Sequence, residues 1–390
     1  MKIAVVCDSF KGSLTSKDAC AAVKDGLLRC NKNFEVLSLP FADGGEGTSR
    51  CFYDILGGQL RKAAVHDPLL REITAEYTVL PDGTAVIDVA SASGLTLLKS
   101  SERDAVKVSS LGSGELICDA AEHGAKHIIL GLGGSATTDA GTGILYALGM
   151  RFFSEDGVEV LPDGQNMIRV KKIRRTENFE RFKDIKFTLA CDVTNPLCGE
   201  NGAAYVFSPQ KGASKNNVEL LDDGLRNIGE IYEKASGKKI INLPGAGAAG
   251  GIGGGLSAFL NCELQSGFDV LARAASLEDK IRRSDAVITG EGKTDRQTLF
   301  GKLPKRVSDI AEKFGVPCIL LSGDVENDIS AETLGVCEIH KIKENGISLE
   351  HCMKNAASLL SERAFAIGKD SKIINKQYSR KQEKMRENER

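Results

Sequence analysis

The chain has 390 residues, 42% of them hydrophobic, and a formal net charge of −2, which is enough apolar material for a large core and, at about 150 residues per domain, for two or three domains. Near-neutral charge, 5% aromatic residues and no Trp leave little raw material for nucleic-acid binding or an interfacial membrane belt. The short N-terminal apolar run meets Asp8 at once, no stretch approaches a membrane span, and the eleven cysteines contain no CxxC pair, so a cytoplasmic protein with reduced thiols is expected.

Strand, Gly-containing loop and helix alternate from the first residues. KIAVVCD reads as a buried strand, SFKGS as a loop, and LTSKDACAAVKDGLL as a helix with a capping box from Thr15 and Asp18. Lys11 therefore lies just before a helix N-terminus, where its ammonium either meets a bound anion with help from Ser9, Gly12 and Ser13, or is a solvated turn lysine. FEVLSLPFADGGEGTSRCFYDIL repeats the pattern. Its Asp43 and Glu46 flank paired glycines before a helix that Thr48 can cap, and they either bind Mg²⁺ or substrate hydroxyls, or complement the helix dipole.

ITAEYTVL and TAVIDVA follow as strands. His123 and His127 have the spacing of two zinc ligands on one helical face, but Gly124 interrupts the helix, so they read as a helix-end and a strand-start histidine. After the strand HIIL, the loop GLGGSATTDAGTG offers Gly133, Gly134, Ser135, Thr137, Thr138 and Asp139, small residues that permit close backbone approach to phosphates. Gly131, Gly133 and Ala136 also fit a dinucleotide fingerprint, as do Gly245, Gly247 and Gly250; for the glycine run through Gly255 the alternative is tight helix packing. Residues 151–188 are polar, with the basic run RVKKIRR, and read as a surface excursion. ACDVTNPLCGENGAA places Asp192 at a strand end, as a general base or metal ligand, or simply as an Asp that starts a turn.

Residues 284–304 carry the densest chemistry. A buried strand runs into a Gly loop holding Glu291, Lys293 and Asp295, with Gly290 and Gly292 beside them. Phosphoryl transfer needs this combination: backbone N–H groups, a cation, and carboxylates to hold Mg²⁺ or accept a hydroxyl proton. Gly292, Lys293 and Thr294 spell GKT, yet Val287 stands where a P-loop requires its first glycine. Beyond the strand VPCILLSG, residues 370–390 lack apolar periodicity and end in dense mixed charge, so the stretch 373–390 is expected to be a charged tail, either a frayed helix or disordered. The alternation throughout indicates an α/β fold, in which loops from distant segments gather at the carboxyl ends of the strands.

Taken together, DSFKGSL, ADGGEGT, GLGGSATTDAG, ACDVTNPLCG, PQKGA, GAGAAGG and ITGEGKTD with the downstream QT, GK and P resemble the bacterial glycerate kinase family of the glyoxylate and glucarate pathways. The resemblance spans nearly the whole chain. It departs at Lys293, where the family typically has Arg, at Ser208 before PQKGA, where Gly is usual, and at Arg306, where a small residue is common. Lysine keeps the charge but loses bidentate phosphate geometry. The resemblance implies two α/β domains, one flavodoxin-like, with the site in a cleft between them. Because the first strand resembles the ITGEG and CILLSG strands, the expected boundaries are a discontinuous domain of 1–70 plus 284–372 and an inserted domain of 71–283.

It also implies ATP-dependent phosphorylation of D-glycerate with Mg²⁺, at the 2-hydroxyl to give 2-phosphoglycerate; the 3-hydroxyl is the alternative. Lys11, Asp192 and Asp295 are then the expected catalytic residues. Asp43, Glu46 and Lys293 are expected to bind substrate, and Gly133, Gly134, Ser135, Thr137, Gly290 and Gly292 the nucleotide. Asp192, Asp295 and Glu291 are the candidate Mg²⁺ ligands, with base and ligand not assigned between the two aspartates. The two dinucleotide-like stretches motivate a nicotinamide-dependent oxidoreductase as the reading from another class, and a noncatalytic ligand-binding protein is a third.

Overall fold

Apolar runs without internal charge, such as Ile3–Cys7, Ala286–Ile288 and Cys318–Leu321, are buried residue after residue, the signature of parallel strands covered on both faces. The structure, a computed structural model, describes residues 1–42, 44–344 and 346–388, with side chains through residue 380. In chain order the strands are β1 (Lys2–Cys7), β2 (Glu35–Pro40), β3 (Gln59–His66), β4 (Glu72–Val79), β5 (Ala85–Asp88), β6 (His127–Gly131), β7 (Met150–Phe153), β8 (Lys172–Arg175), β9 (Lys186–Ala190), β10 (Asn261–Gln265), β11 (Ala286–Gly290), β12 (Lys293–Thr294), β13 (Cys318–Ser322), β14 (Asp324–Val325) and β15 (Glu338–Lys341). Two contact units divide them: Met1–Asp43 with Leu271–Arg390, and Gly44–Val270.

The first unit holds a five-stranded sheet in the order β15-β13-β11-β1-β2, parallel throughout. Counted within the unit this is 2-1-3-4-5, the flavodoxin-like order, and the direction of winding reverses between β1 and β11. Ile3, Val5, Ile288, Ile319 and Leu321 from this sheet share a core with Val23 and Leu27 of the helix Ser16–Cys30 and with Leu360 and Ile367 of the helix Ala356–Asp370. Thr15 caps the first of these helices by accepting the Asp18 N–H at 3.1 Å, and its hydroxyl donates to the Asp18 carboxylate at 2.6 Å.

Of the two states expected for the C-terminal segment, the described residues take the helical one. A helix spans Lys372–Asn388. Ile374 is fully buried in the first unit's core, and one turn later the Tyr378 ring stands edge-on to Phe34, centroids 5.8 Å apart. With Ile373 also packed against this core, three apolar side chains within six residues anchor a helix that is otherwise mostly polar and charged.

The second unit has a six-stranded mixed sheet, β10-β9-β6-β5-β4-β3. Strands β10, β9, β6 and β5 run parallel, whereas β4 is antiparallel to both β5 and β3. A tight turn through Gly83 joins β4 to β5, so the loop after ITAEYTVL lies at the edge opposite the other loops. Residues 151–188 are more than a surface excursion: β7 and β8 form a ribbon of their own, and Phe152, Met167, Val170, Phe179 and Phe182 are buried. The basic run keeps its exposed face, where Arg174 lies over Phe153 and Arg175 over Phe179 and Phe259.

The unit boundaries fall elsewhere than residues 70 and 284. The helix Thr48–Leu56 packs on β4 and β5, with Ser49 and Thr78 hydroxyls 3.0 Å apart, which draws residues 44–70 into the second unit. On the other side, the helix Leu277–Arg282 packs on the helix Leu303–Lys313, and Lys313 pairs with Glu278 at 2.9 Å. If the terminal helix is part of the first unit's core, Ile374→Ala will lower unfolding free energy by about 2–4 kcal/mol in urea titrations; a tail without structure would give no change.

Candidate active site

In the first unit the reversal of winding gathers the loops after β1 and β11. Lys11 is exposed in the first of them, which turns back on itself through the Phe10 N–H to Leu14 carbonyl bond at 2.9 Å, while Ser13 donates to the Met353 carbonyl at 2.7 Å. Gly292 of the second loop lies against it: a Cβ there would stand 3.1 Å from the Phe10 Cα and 3.4 Å from the Lys11 nitrogen. Gly290, the last residue of β11, is equally constrained, since a Cβ would come within 2.3 Å of the Leu321 carbonyl oxygen. The fold thus brings the backbone of Lys11 beside Gly292, in the loop that also carries Glu291, Lys293 and Asp295.

The two carboxylates there differ in state. Glu291 is buried and accepts the Thr298 hydroxyl at 2.7 Å; burial pushes its carboxyl up, with Thr298 opposing. Asp295 caps the helix Arg296–Leu299 by accepting the Gln297 N–H at 2.9 Å, and Lys302 reaches it at 3.2 Å. Burial works against its ionisation, but the bond and charge of Lys302 outweigh that and hold the carboxyl below its ordinary range. Lys293 is exposed and bonded to Glu326 at 2.8 Å, which holds its ammonium above the ordinary range.

In the second unit, the carboxyl ends of β5, β6 and β9 meet the segment 44–47. The Gly133 N–H donates to the Gly44 carbonyl at 3.1 Å, the Leu132 N–H to the Ala190 carbonyl at 3.1 Å, and a Cβ on Gly133 would fall 2.5 Å from the Gly45 Cα. Glu46, Gly133, Gly134, Ser135 and Thr137 therefore share one region, with Glu46 accepting the Thr96 hydroxyl at 3.3 Å. Asp192 is exposed two residues beyond β9. Asp43 lies outside the described residues. Asp139 is buried and takes the Ser110 N–H and hydroxyl, at 2.9 and 2.7 Å, and the Gly141 N–H at 3.1 Å; it organises the loop rather than facing a ligand.

Two buried ionisable groups at this edge escaped the sequence reading. Asp88, the last residue of β5, accepts the N–H groups of Gly47 and Ser49, each at 2.9 Å. It, and not Thr48, closes the start of the helix Thr48–Leu56; the Thr48 hydroxyl donates to the Gly45 carbonyl instead. Burial lifts the Asp88 carboxyl to about 7, against the pull of the Ser49 and Gly47 amides. Lys211 is 3% exposed; its Nζ donates to the Ser135 hydroxyl at 3.0 Å and to the Thr137 carbonyl at 2.6 Å. Burial lowers its pKa to about 7. Its signal in the sequence was the PQKGA motif, where a lysine precedes a glycine that the structure holds at φ +93°.

The other candidate motifs resolve into structure. His123 ends a helix, its Nδ1 2.8 Å from the Asp119 carbonyl, and His127 opens β6, its Nε2 2.9 Å from the Thr188 hydroxyl. The segment before Gly245 is not a strand, and Gly250 takes φ +70° so close to the 137–140 loop that a Cβ would sit 2.0 Å from the Thr137 carbonyl oxygen. This glycine run packs a helix. After Gly131, Gly133 and Ala136 the next helix begins only at Thr142, so neither dinucleotide pattern has its strand-to-helix context.

Residues 3–372 match the glycerate kinase family. The chain belongs to that family. It is 41% identical over 330 residues to an Escherichia coli K12 protein named glycerate 2-kinase, covering 84% of this chain and 87% of that protein, and 38% identical over 364 residues to a glycerate kinase of Halalkalibacterium halodurans, covering 93% and 96%. A crystal structure from Salmonella typhimurium LT2, assigned as glycerate kinase 2, superposes with a TM-score of 0.83 at 35% identity, covering 95% of this chain and 97% of that one. Membership in the glycerate kinase family makes the chain a kinase with ATP as co-substrate. No helix among the described residues is long and apolar enough to cross a membrane.

Asp88 yields a signed pH dependence. A carboxyl that titrates near 7 when folded and near 4 when unfolded binds more protons in the native state between those values, so its contribution to stability declines as pH rises through that window. The stability of the wild type relative to Asp88→Asn will therefore fall between about pH 4 and pH 7, by at most about 4 kcal/mol, in urea unfolding at each pH. A difference independent of pH would show that Asp88 is ionised throughout.

Proposed function

We propose that this chain transfers the γ-phosphoryl group of ATP to the 2-hydroxyl of D-glycerate, giving 2-phosphoglycerate. Family membership across residues 3–372 carries the proposal, and the relative named glycerate 2-kinase supports the choice of hydroxyl. In physical terms, a small acid with two adjacent hydroxyls is discriminated by position: a cation holds the carboxylate while one hydroxyl is set in line with the phosphoryl group.

Lys11 suits the neutralisation of anionic oxygens, because it is exposed at the point where the winding reverses. Lys293 suits the same task less directly, since it must leave Glu326. Asp295, already favoured as an anion by Lys302, suits Mg²⁺, and the nearby Glu291 adds a second carboxylate. One or two carboxylates plus phosphate oxygens are the usual protein share of a Mg²⁺ site, so the donor set fits. Bound there, the ion would neutralise charge on the phosphate oxygens. Asp192 is assigned as acceptor of the hydroxyl proton, Glu46 and Asp43 as partners of the glycerate hydroxyls, and Gly133, Gly134, Ser135, Thr137, Gly290 and Gly292 as the backbone and hydroxyl contacts of the nucleotide. The eleven cysteines are all unpaired, in keeping with a reducing, cytoplasmic setting.

Purified protein with Mg²⁺ and ATP will release ADP only when D-glycerate is present, and enolase will convert the product to phosphoenolpyruvate without phosphoglycerate mutase. No ADP release overturns the proposal, and a product that needs the mutase overturns the regiochemistry. Lys11→Ala will lower kcat/KM by about 10²–10³, as expected for one preorganised charge contact, and Asp295→Asn will shift the Mg²⁺ dependence of kcat. Wild-type kinetics in both variants would remove the first unit's loops from the chemistry.

A further inference from the structure

We infer that Lys211, with Ser135 and Thr137, forms a buried oxyanion site in the second unit. The inference rests on the kinase reading for the identity of the anion but not for its existence. A lysine that is 3% exposed has three protons to place when charged. Two are directed to the Ser135 hydroxyl and the Thr137 carbonyl. Neither neutralises it, and among the described residues no carboxylate forms an ion pair with it. The same loop holds a second unsatisfied group, because the Thr137 hydroxyl is buried without a hydrogen-bond partner.

The segment carrying Lys211 is fixed against this loop. The Ser208 and Thr138 hydroxyls are 2.9 Å apart, and Gly212 turns at φ +93° where a Cβ would come within 2.3 Å of the Arg103 carbonyl oxygen. The backbone that carries the ammonium is therefore held against this loop, and the bonds to Ser135 and Thr137 keep Nζ there. Of the charged groups facing it, Asp139 is the one that raises its pKa, yet its carboxylate is occupied by Ser110 and Gly141. Arg103 meets the turn through its backbone, and Tyr232, from the helix Lys215–Ser236, is held neutral by burial and by Asp139. A buried lysine without a counter-ion, next to an unsatisfied hydroxyl and a small-residue loop, is completed by an oxyanion: a phosphate of the nucleotide, or the carboxylate of the acid substrate. Since Lys211 titrates near 7 in the absence of such a charge, an arriving anion raises its pKa and draws a proton from solvent.

The test is calorimetric titration of the full chain at pH 7.5 in buffers of differing ionisation enthalpy, with ADP, inorganic phosphate and D-glycerate as separate probes and each probe's own ionisation subtracted. A lysine titrating near 7 is roughly one-quarter protonated at pH 7.5, so one of the probes should bind with uptake of up to roughly three-quarters of a proton. Lys211→Met should abolish the uptake and weaken that probe at least tenfold, and Lys211→Arg, charged at all pH, should bind it without uptake. Uptake with ADP and phosphate assigns the anion to the nucleotide; uptake with D-glycerate alone assigns it to the substrate carboxylate. Absence of binding by all three probes, read on the wild type and so independent of how the variants fold, overturns the inference, as does equal affinity for every probe in folded Lys211→Met. Binding is read without turnover: a chain that takes up the proton but does not phosphorylate glycerate retains this site and loses the proposed function, and the reverse outcome does the opposite.

Discussion

Ionisable side chains buried at the carboxyl ends of parallel strands impose the constraint to which the loops of this protein conform. Moving a carboxylate or an ammonium out of water costs on the order of several kcal/mol unless donors or acceptors replace the water, and four such groups, Asp88, Asp139, Lys211 and Glu291, are buried in the candidate loops. Each carboxylate is met by loop donors: amides of Gly47 and Ser49 for Asp88, Ser110 and Gly141 for Asp139, and the Thr298 hydroxyl for Glu291. The geometry of the backbone is therefore set by these charges as much as by strand pairing. Lys211 is the one base among the four, and it too is met by neutral partners alone, the Ser135 hydroxyl and the Thr137 carbonyl.

Meeting a buried charge with main-chain amides requires loops to touch, and the touching surfaces are glycine. In the first unit Gly290 and Gly292 let the β11 loop pass against Leu321 and Phe10; in the second, Gly133 lies on Gly45. Any side chain at these points would hold the loops apart and leave the polar groups unmet. The glycines are thus prerequisites for assembling Lys11, Glu291 and Asp295 in one unit, and Glu46, Ser135 and Thr137 in the other, whether or not each glycine also contacts a ligand.

Much of this was legible in the sequence because strand-to-loop transitions carry a local signal. An apolar run ending in Gly or Asp located β1, β6, β9 and β11, and with them the positions of Lys11, Ser135, Asp192, Glu291 and Asp295. Other features depend on partners remote in sequence. Asp88 reads as the end of a strand, and only its bonds to residues about 40 positions earlier show that it closes a helix. Lys211 reads as a turn lysine until its contacts with Ser135 and Thr137, more than 70 positions away, place it in the interior. The sequence left the terminal segment open between a frayed helix and disorder because its packing rests on Ile373, Ile374 and Tyr378, too few apolar residues to register as periodicity. The unit boundary near residue 43 was displaced for a similar reason, since the helix Thr48–Leu56 repeats the local pattern of the first unit but buries its apolar face on β4 and β5.

Phosphorus-31 NMR of a reaction mixture containing the protein, D-glycerate, ATP and Mg²⁺ tests the central claim, phosphoryl transfer to glycerate at a defined hydroxyl, without coupling enzymes. The account predicts one new phosphomonoester resonance, growing as the γ-phosphate signal declines and split into a doublet by the single proton on the esterified carbon of 2-phosphoglycerate. A triplet, from the two protons of an esterified terminal carbon, would contradict the positional argument, and loss of γ-phosphate with inorganic phosphate as the sole product would contradict the transfer itself.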